Sequence, residues 1–180
     1  MKKYKIIKII LYSIVSVLGF SMLTFLNIDA LTFQTIKDGT SEVIVLNFYQ
    51  LIETGFGGDA ECTMLFMAYI LGILIGGYGV ACVFLQIFRP FRKNELTFNI
   101  LFLVFSIYNV FIGEFIGELV TSQLLLQGYD TVNYKVGTAL ISWIGTNIII
   151  GVLLLVCATI NAILSKKLDK DEISKKVEKI

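Results

Sequence analysis

Apolar residues gather into four long stretches, about Ile6–Leu26, Thr63–Phe88, Leu96–Val120 and Val136–Leu164, separated by short polar segments. Each stretch reaches the roughly 20 residues that a helix needs to cross the hydrocarbon core. The pattern predicts four transmembrane helices. Lys8 stands near the start of the first span, where its long stem lets the ammonium snorkel to the membrane surface.

The polar segments have a different period. In the first loop, residues 27–62, Leu31-Thr32-Phe33-Gln34-Thr35-Ile36 and Glu42-Val43-Ile44-Val45-Leu46-Asn47-Phe48 read as strands, the second rich in β-branched residues. Asp38-Gly39 between them is a hairpin turn signal, since glycine accepts positive φ. Phe48-Tyr49-Gln50-Leu51-Ile52-Glu53 reads as a short helix, ended by Gly55, Gly57 and Gly58 before the second span. In the second loop, residues 121–135, the third span continues as helix towards Gln127, and the segment from Gly128 to Lys135 gives a turn and an extra strand. A lone hairpin is only marginally stable in water, so that third strand would make the sheet viable.

Charge sets the expected orientation. Every lysine and arginine except Lys37 and Lys135 lies before or just inside the first span, in the Arg89–Lys93 turn, or after the fourth span. Positively charged flanks are retained on the cytoplasmic side, so both termini are expected inside and the two larger loops outside. An alternative treats Lys2–Lys5 and the following apolar run as a cleavable signal with Gly19-Phe20-Ser21 as the cut site. Against it, apolar character continues through Leu26, a full span rather than a short signal core.

The order of elements resembles the claudin-like membrane fold: one span, a β-rich first outer loop with a short helix, two spans joined by a tight basic inner turn, a small second outer loop and a last span. The resemblance covers nearly the whole chain and rests on topology. The claudin signature of tryptophan, Gly-Leu-Trp and paired cysteines is missing from the first loop, which has Cys62 at its end, while the sole tryptophan, Trp143, lies in span four. The resemblance therefore implies architecture: a membrane all-α, four-helix bundle with a small extracellular sheet, forming a single domain over residues 1–180 with a tail at 165–180. It does not carry over a junction, pore or receptor role.

Composition narrows the chemistry. An apolar fraction of 56% is too high for a soluble globule of 180 residues. A net charge of +1 gives no reason to expect a nucleic-acid partner. The sequence has no histidine, which excludes imidazole acid–base catalysis and histidine-containing zinc sites. The three cysteines form no CxxC pair, and the one proline, Pro90, lies in the inner turn, so no span is broken by proline as in many transporters. No catalytic group, cofactor or metal is expected.

Small residues mark the packing faces. Ala68, Gly72, Gly76 and Gly79 form one stripe, Ser106, Asn109, Gly113 and Gly117 a second, and Asn147 with Gly151 and Ala158 a third. In lipid such residues let helices approach closely, and Asn109, Ser142, Thr146 and Asn147 are expected to hydrogen-bond between them. The stripes fit an intramolecular bundle, or a face turned to a second copy or another membrane protein. Glu114 and Glu118, four apart on one helix face, are candidate functional carboxylates, because a carboxylate in hydrocarbon is costly. They lie about 27 and about 33 Å along the third span from Leu96 at 1.5 Å per residue, near the outer interface. That depth favours a structural role, solvated or paired with Lys37 or Lys135, over a cation or proton site. The tail's Ile173, Val177 and Ile180 at helical spacing suggest an amphipathic extension along anionic headgroups.

The expectation is a non-enzymatic plasma-membrane protein, embedded in the lipid bilayer, whose outer sheet contacts a membrane-protein partner or a sister subunit. The first alternative is a small cation or proton transporter using Glu114 and Glu118; the second is an immunity protein against a secreted toxin, suggested by the acidic first loop. Orientation is the first thing to test. A single cysteine placed in the Arg89–Lys93 turn should resist a membrane-impermeant maleimide in intact cells and react once the membrane is opened; labelling in intact cells would reverse the topology.

Overall fold

The computed structural model describes the backbone of residues 2–56, 60–88 and 94–177, with side chains for 3–53, 63–88 and 94–166. Four long helices carry the chain: α1 (Lys2–Ser21), α3 (Ala60–Phe88), α4 (Glu95–Leu126) and α5 (Thr138–Val177). All four are long and apolar enough to cross a membrane. A 3-10 turn over Met22–Phe25 ends the first, and the short α2 (Phe48–Phe56) precedes the second long helix. The described residues also form three strands: β1 (Asp29–Lys37), β2 (Thr40–Asn47) and β3 (Thr131–Val136). Of the glycines expected to end α2, Gly55 lies inside it, and Gly57 and Gly58 fall outside the described residues, as do the Cys62 side chain, the Arg89–Lys93 turn and the tail side chains Ile173, Val177 and Ile180.

The sheet is antiparallel with β1 in the middle, in the order β2-β1-β3. Asp38 and Gly39 take φ of 51° and 75°, the paired positive values of a two-residue hairpin turn. That turn fixes the register, with Phe33 opposite Ile44 on one side and opposite Tyr134 on the other. Alternation then sends Leu31, Phe33 and Thr35 towards the helices, where all three are buried. The third strand thus comes from the second loop, as the sequence suggests. It gives the hairpin the partner it needs.

Local chemistry sets where α2 begins. The Asn47 side chain accepts a hydrogen bond from the Gln50 backbone N–H (2.8 Å), and the Gln50 side chain accepts one from the Asn47 N–H (2.9 Å). This reciprocal capping satisfies two donors that a helix start otherwise leaves open. Phe48, Leu51 and Ile52 are then buried against the bundle, with the Phe48 ring 4.9 Å from that of Trp143. At the other junction β3 runs into α5 through Gly137, whose N–H donates to the Ala30 carbonyl (2.8 Å). Any side chain at 137 would collide with the Asp29 carbonyl, so sheet and helix are joined without slack.

Two close helix pairs organise the bundle, α1 with α3 and α4 with α5, with α3 also against α4. On α1 and α3 the approach is backbone to backbone. A methyl at Gly19 would fall 2.5 Å from Gly76 Cα, and one at Gly79 would fall 2.7 Å from the Ser16 nitrogen. Gly72 lies under the Met22 thioether. Gly113 faces Ile144, Gly117 lies under the Tyr134 ring, and Gly151 meets Ser106. All three small-residue stripes therefore face other parts of the same chain. Gly77, in contrast, has nothing among the described residues within 4 Å of where a methyl would stand.

This contrast gives a matched pair of substitutions. Gly79→Leu should destabilise the detergent-solubilised protein by about 1–3 kcal/mol through overpacking, lowering the melting temperature by about 2–4 °C per kcal/mol for a chain of this size. Gly77→Leu, on an uncovered surface, should leave it unchanged. Equal effects would show that α1 and α3 are not in contact along this face.

Candidate functional site: a buried polar cluster at the basal end

The end of the bundle opposite the sheet, here the basal end, holds the main concentration of buried polar side chains. Lys8, on the second turn of α1, is fully buried, with its Nζ 2.7 Å from Glu95 Oε1 at the start of α4. The snorkelling expected of Lys8 is thus corrected. A buried carboxylate stands within reach across the bundle, and pairing replaces the route to the surface. Among the described residues this is the one ion pair.

Four further side chains, from α1, α3 and α4, converge on the pair. The Tyr12 hydroxyl donates to Glu95 Oε1 (2.8 Å), and Gln86 Nε2 of α3 donates to the same oxygen (3.0 Å). Asn99 Nδ2 donates to the Tyr12 oxygen (2.9 Å), while Asn99 Oδ1 accepts the Tyr78 hydroxyl (2.7 Å). A hydroxyl has one hydrogen, so these bonds form a directed chain from Tyr78 through Asn99 and Tyr12 to the carboxylate. Cys82 and Cys157 pack around Tyr12, making that part of the cluster's wall. Lys5 Nζ donates to the Ile87 carbonyl (3.2 Å), tying α1 to the end of α3 just outside.

A second polar group sits nearer mid-bundle. Asn109 Nδ2 donates to Asn147 Oδ1 (3.0 Å), and Asn147 Nδ2 donates to the Trp143 carbonyl (3.0 Å). Ser106 donates to the Asn147 carbonyl, and the Trp143 indole donates to the Asn109 carbonyl (3.3 Å). Here Asn109 and Asn147 do join α4 to α5. Ser142 does not take part; it lies uncovered on the outer side of α5, and Thr146 is only half-buried. The two groups are separated by Phe102, whose ring stacks on Tyr78 at 4.3 Å.

Glu114 and Glu118 lie elsewhere. Both are uncovered on the outer side of α4, towards the sheet end. Glu114 lines a cavity of about 280 Å³ with Gly113, Val136, Ile141 and Ile144. Neither pairs with Lys37, whose Nζ instead donates to the Gln127 carbonyl (3.4 Å) and stands 4.9 Å above the Tyr129 ring. Among the described residues no group of three acidic, cysteine or histidine side chains comes close enough to hold a metal ion.

The sequence reading overlooked Glu95, Gln86 and Lys8 as a set because each stands at the edge of an apolar run and reads as a boundary residue. The signal was present on α4. Glu95, Asn99, Ser106 and Asn109 follow one another at 4, 7 and 3 residues, so the carboxylate continues the stripe already identified as a packing face. No protein-family profile matches the chain, and no curated protein matches it.

The chemistry of the cluster predicts a non-additive response. Removing one partner from a buried ion pair strands the other charge and costs about 3–5 kcal/mol, whereas replacing both with apolar groups is often neutral. Lys8→Met and Glu95→Leu should each lower stability in that range. The double variant should recover most of the loss in a melting experiment. Simple addition of the two losses would mean that the residues do not interact.

Proposed function

We propose that this chain is a non-enzymatic, multi-pass protein of the plasma membrane, with both termini on the cytoplasmic side and a claudin-like architecture, that works by contact through its extracellular sheet. Its partner is another membrane protein or a second copy of itself. Four spans of sufficient length and the one-sided distribution of lysine and arginine support the topology.

One observation carries the contact role: an uncovered apolar row beside an unpaired strand edge. β2 is an outer strand of the sheet. Val43 and Val45, on the face turned away from the helices, are 64% and 44% exposed, and Ile36 on β1 is 41% exposed. An open edge invites a further strand, and proteins that leave one free of contact usually blunt it with proline, lysine or a bulge. β2 has no proline and no lysine, and Glu42 is its one charge. Beneath it the buried face is anchored by Leu31 and Phe33, so the outer face is held rigid. A preorganised surface loses little on binding.

A photoreactive amino acid at Val43 should yield one adduct of discrete mass in native membranes. The same probe at Phe111, an uncovered residue of α4 within the spans, should yield none with protein. Val43→Lys should weaken the captured complex about tenfold, equivalent to about 1.4 kcal/mol. Equal, diffuse labelling at both positions would remove the case for contact through the sheet.

A further inference from the structure

We infer that the polar cluster at the basal end is an internal water site, in which water joins Lys8, Gln86 and Asn161 into one closed hydrogen-bond network. The starting point is an inventory of bonds made and not made. On the deep side every group is engaged: Tyr78, Asn99 and Tyr12 pass hydrogen bonds along to Glu95 Oε1. On the basal side the pattern stops. Among the described residues Lys8 Nζ has no hydrogen-bond acceptor beyond its ion-pair partner Glu95, and Gln86 Oε1 has no donor. Asn161, only 1% exposed on α5, has no partner among the described residues for either its Oδ1 or its Nδ2.

These groups share one level of the bundle. Lys8 and Gln86 meet on the same carboxylate oxygen. Cys157 packs beside Tyr12. Asn161 follows Cys157 by one helical turn towards the basal end, as Lys8 precedes Tyr12 by one turn towards it, because α1 and α5 run in opposite directions. Four helices therefore each present a buried polar group at the same level of the bundle.

The chemistry of the unspent atoms selects the guest. Two are donors, Lys8 Nζ and Asn161 Nδ2, and two are acceptors, Gln86 Oε1 and Asn161 Oδ1. A cation would meet the Lys8 ammonium, and an anion would meet the Glu95 carboxylate and two amide oxygens. A guest that both donates and accepts matches all four, and water is the smallest of these. Buried water characteristically makes about three hydrogen bonds to groups that the fold leaves unsatisfied. Access is short. Glu95 keeps 8% of its surface uncovered at the first turn of α4, and the Phe102–Tyr78 stack closes the far side. The site is thus closed off from the Asn109–Asn147 group.

Infrared spectroscopy of the whole protein in lipid, transferred from D2O to oxygen-18-labelled D2O, tests this directly. A sharp O–D stretching band that shifts with the oxygen isotope is expected in the native chain and should be lost in Asn161→Leu. The same variant should melt about 2–4 °C lower, the shift that corresponds to about 1 kcal/mol in a chain of this size, because it leaves water partners unpaired. A dry cluster behaves in the opposite way: replacing an unsatisfied amide by a similar apolar side chain is neutral or stabilising. Absence of the isotope-sensitive band from the native chain would overturn the inference, as would an Asn161→Leu variant that keeps the band or melts at or above the native temperature. The native spectrum decides the matter alone if the variant does not fold.

Discussion

A polar group inside an apolar bundle has no solvent to fall back on, so it must find a partner within the chain. That constraint acts hardest on α4. Its inward face carries Glu95, Asn99, Ser106 and Asn109, and every one is buried. Each finds its partner on another helix: Glu95 and Asn99 on α1 and α3, and Ser106 and Asn109 on α5. The polar face of one helix thus dictates which helices surround it, and at what height. Apolar packing alone is permissive about rotation and sliding; these bonds are not.

The glycines act at shorter range. Gly19, Gly76 and Gly79 bring α1 and α3 into backbone contact, and this approach carries Lys8 and Tyr12 into the interior, where Glu95 can be reached. Close packing and polar pairing therefore depend on each other. Buried ion pairs are weak sources of stability, since desolvation offsets much of the attraction. What the pair does show is a fixed correspondence of height, Lys8 on α1 standing level with Glu95 on α4.

Much of the architecture could be read in the sequence, because it follows from local rules. Four apolar runs gave the four long helices, Asp38-Gly39 gave the hairpin, and the Gly128–Lys135 segment gave the third strand. The Asn47/Gln50 cap was equally local, an Asn followed three residues later by Gln, but was hidden within a segment read as strand running into helix. The basal cluster was harder to see. Lys8, Gln86 and Glu95 come from three separate segments, and each alone looks like the edge of a span. Their meeting depends on how three helices rotate about their axes, which no single run encodes. Glu114 and Glu118 drew attention by the opposite route: they are conspicuous within their own run, yet the helix turns them outwards.

Trp143 stands where the sheet-bearing half of the molecule meets the helices. It is fully buried, stacked on Tyr69 at 5.9 Å and against Phe48 of α2, with its indole N–H on the Asn109 carbonyl. It is also the sole tryptophan. The chain thereby contains its own optical gauge: one fluorophore, in one environment, touching α2, α3 and α4 at once. Any event that lifts α2 away from the helices must change the polarity around that indole, and the emission colour would register it without an attached label.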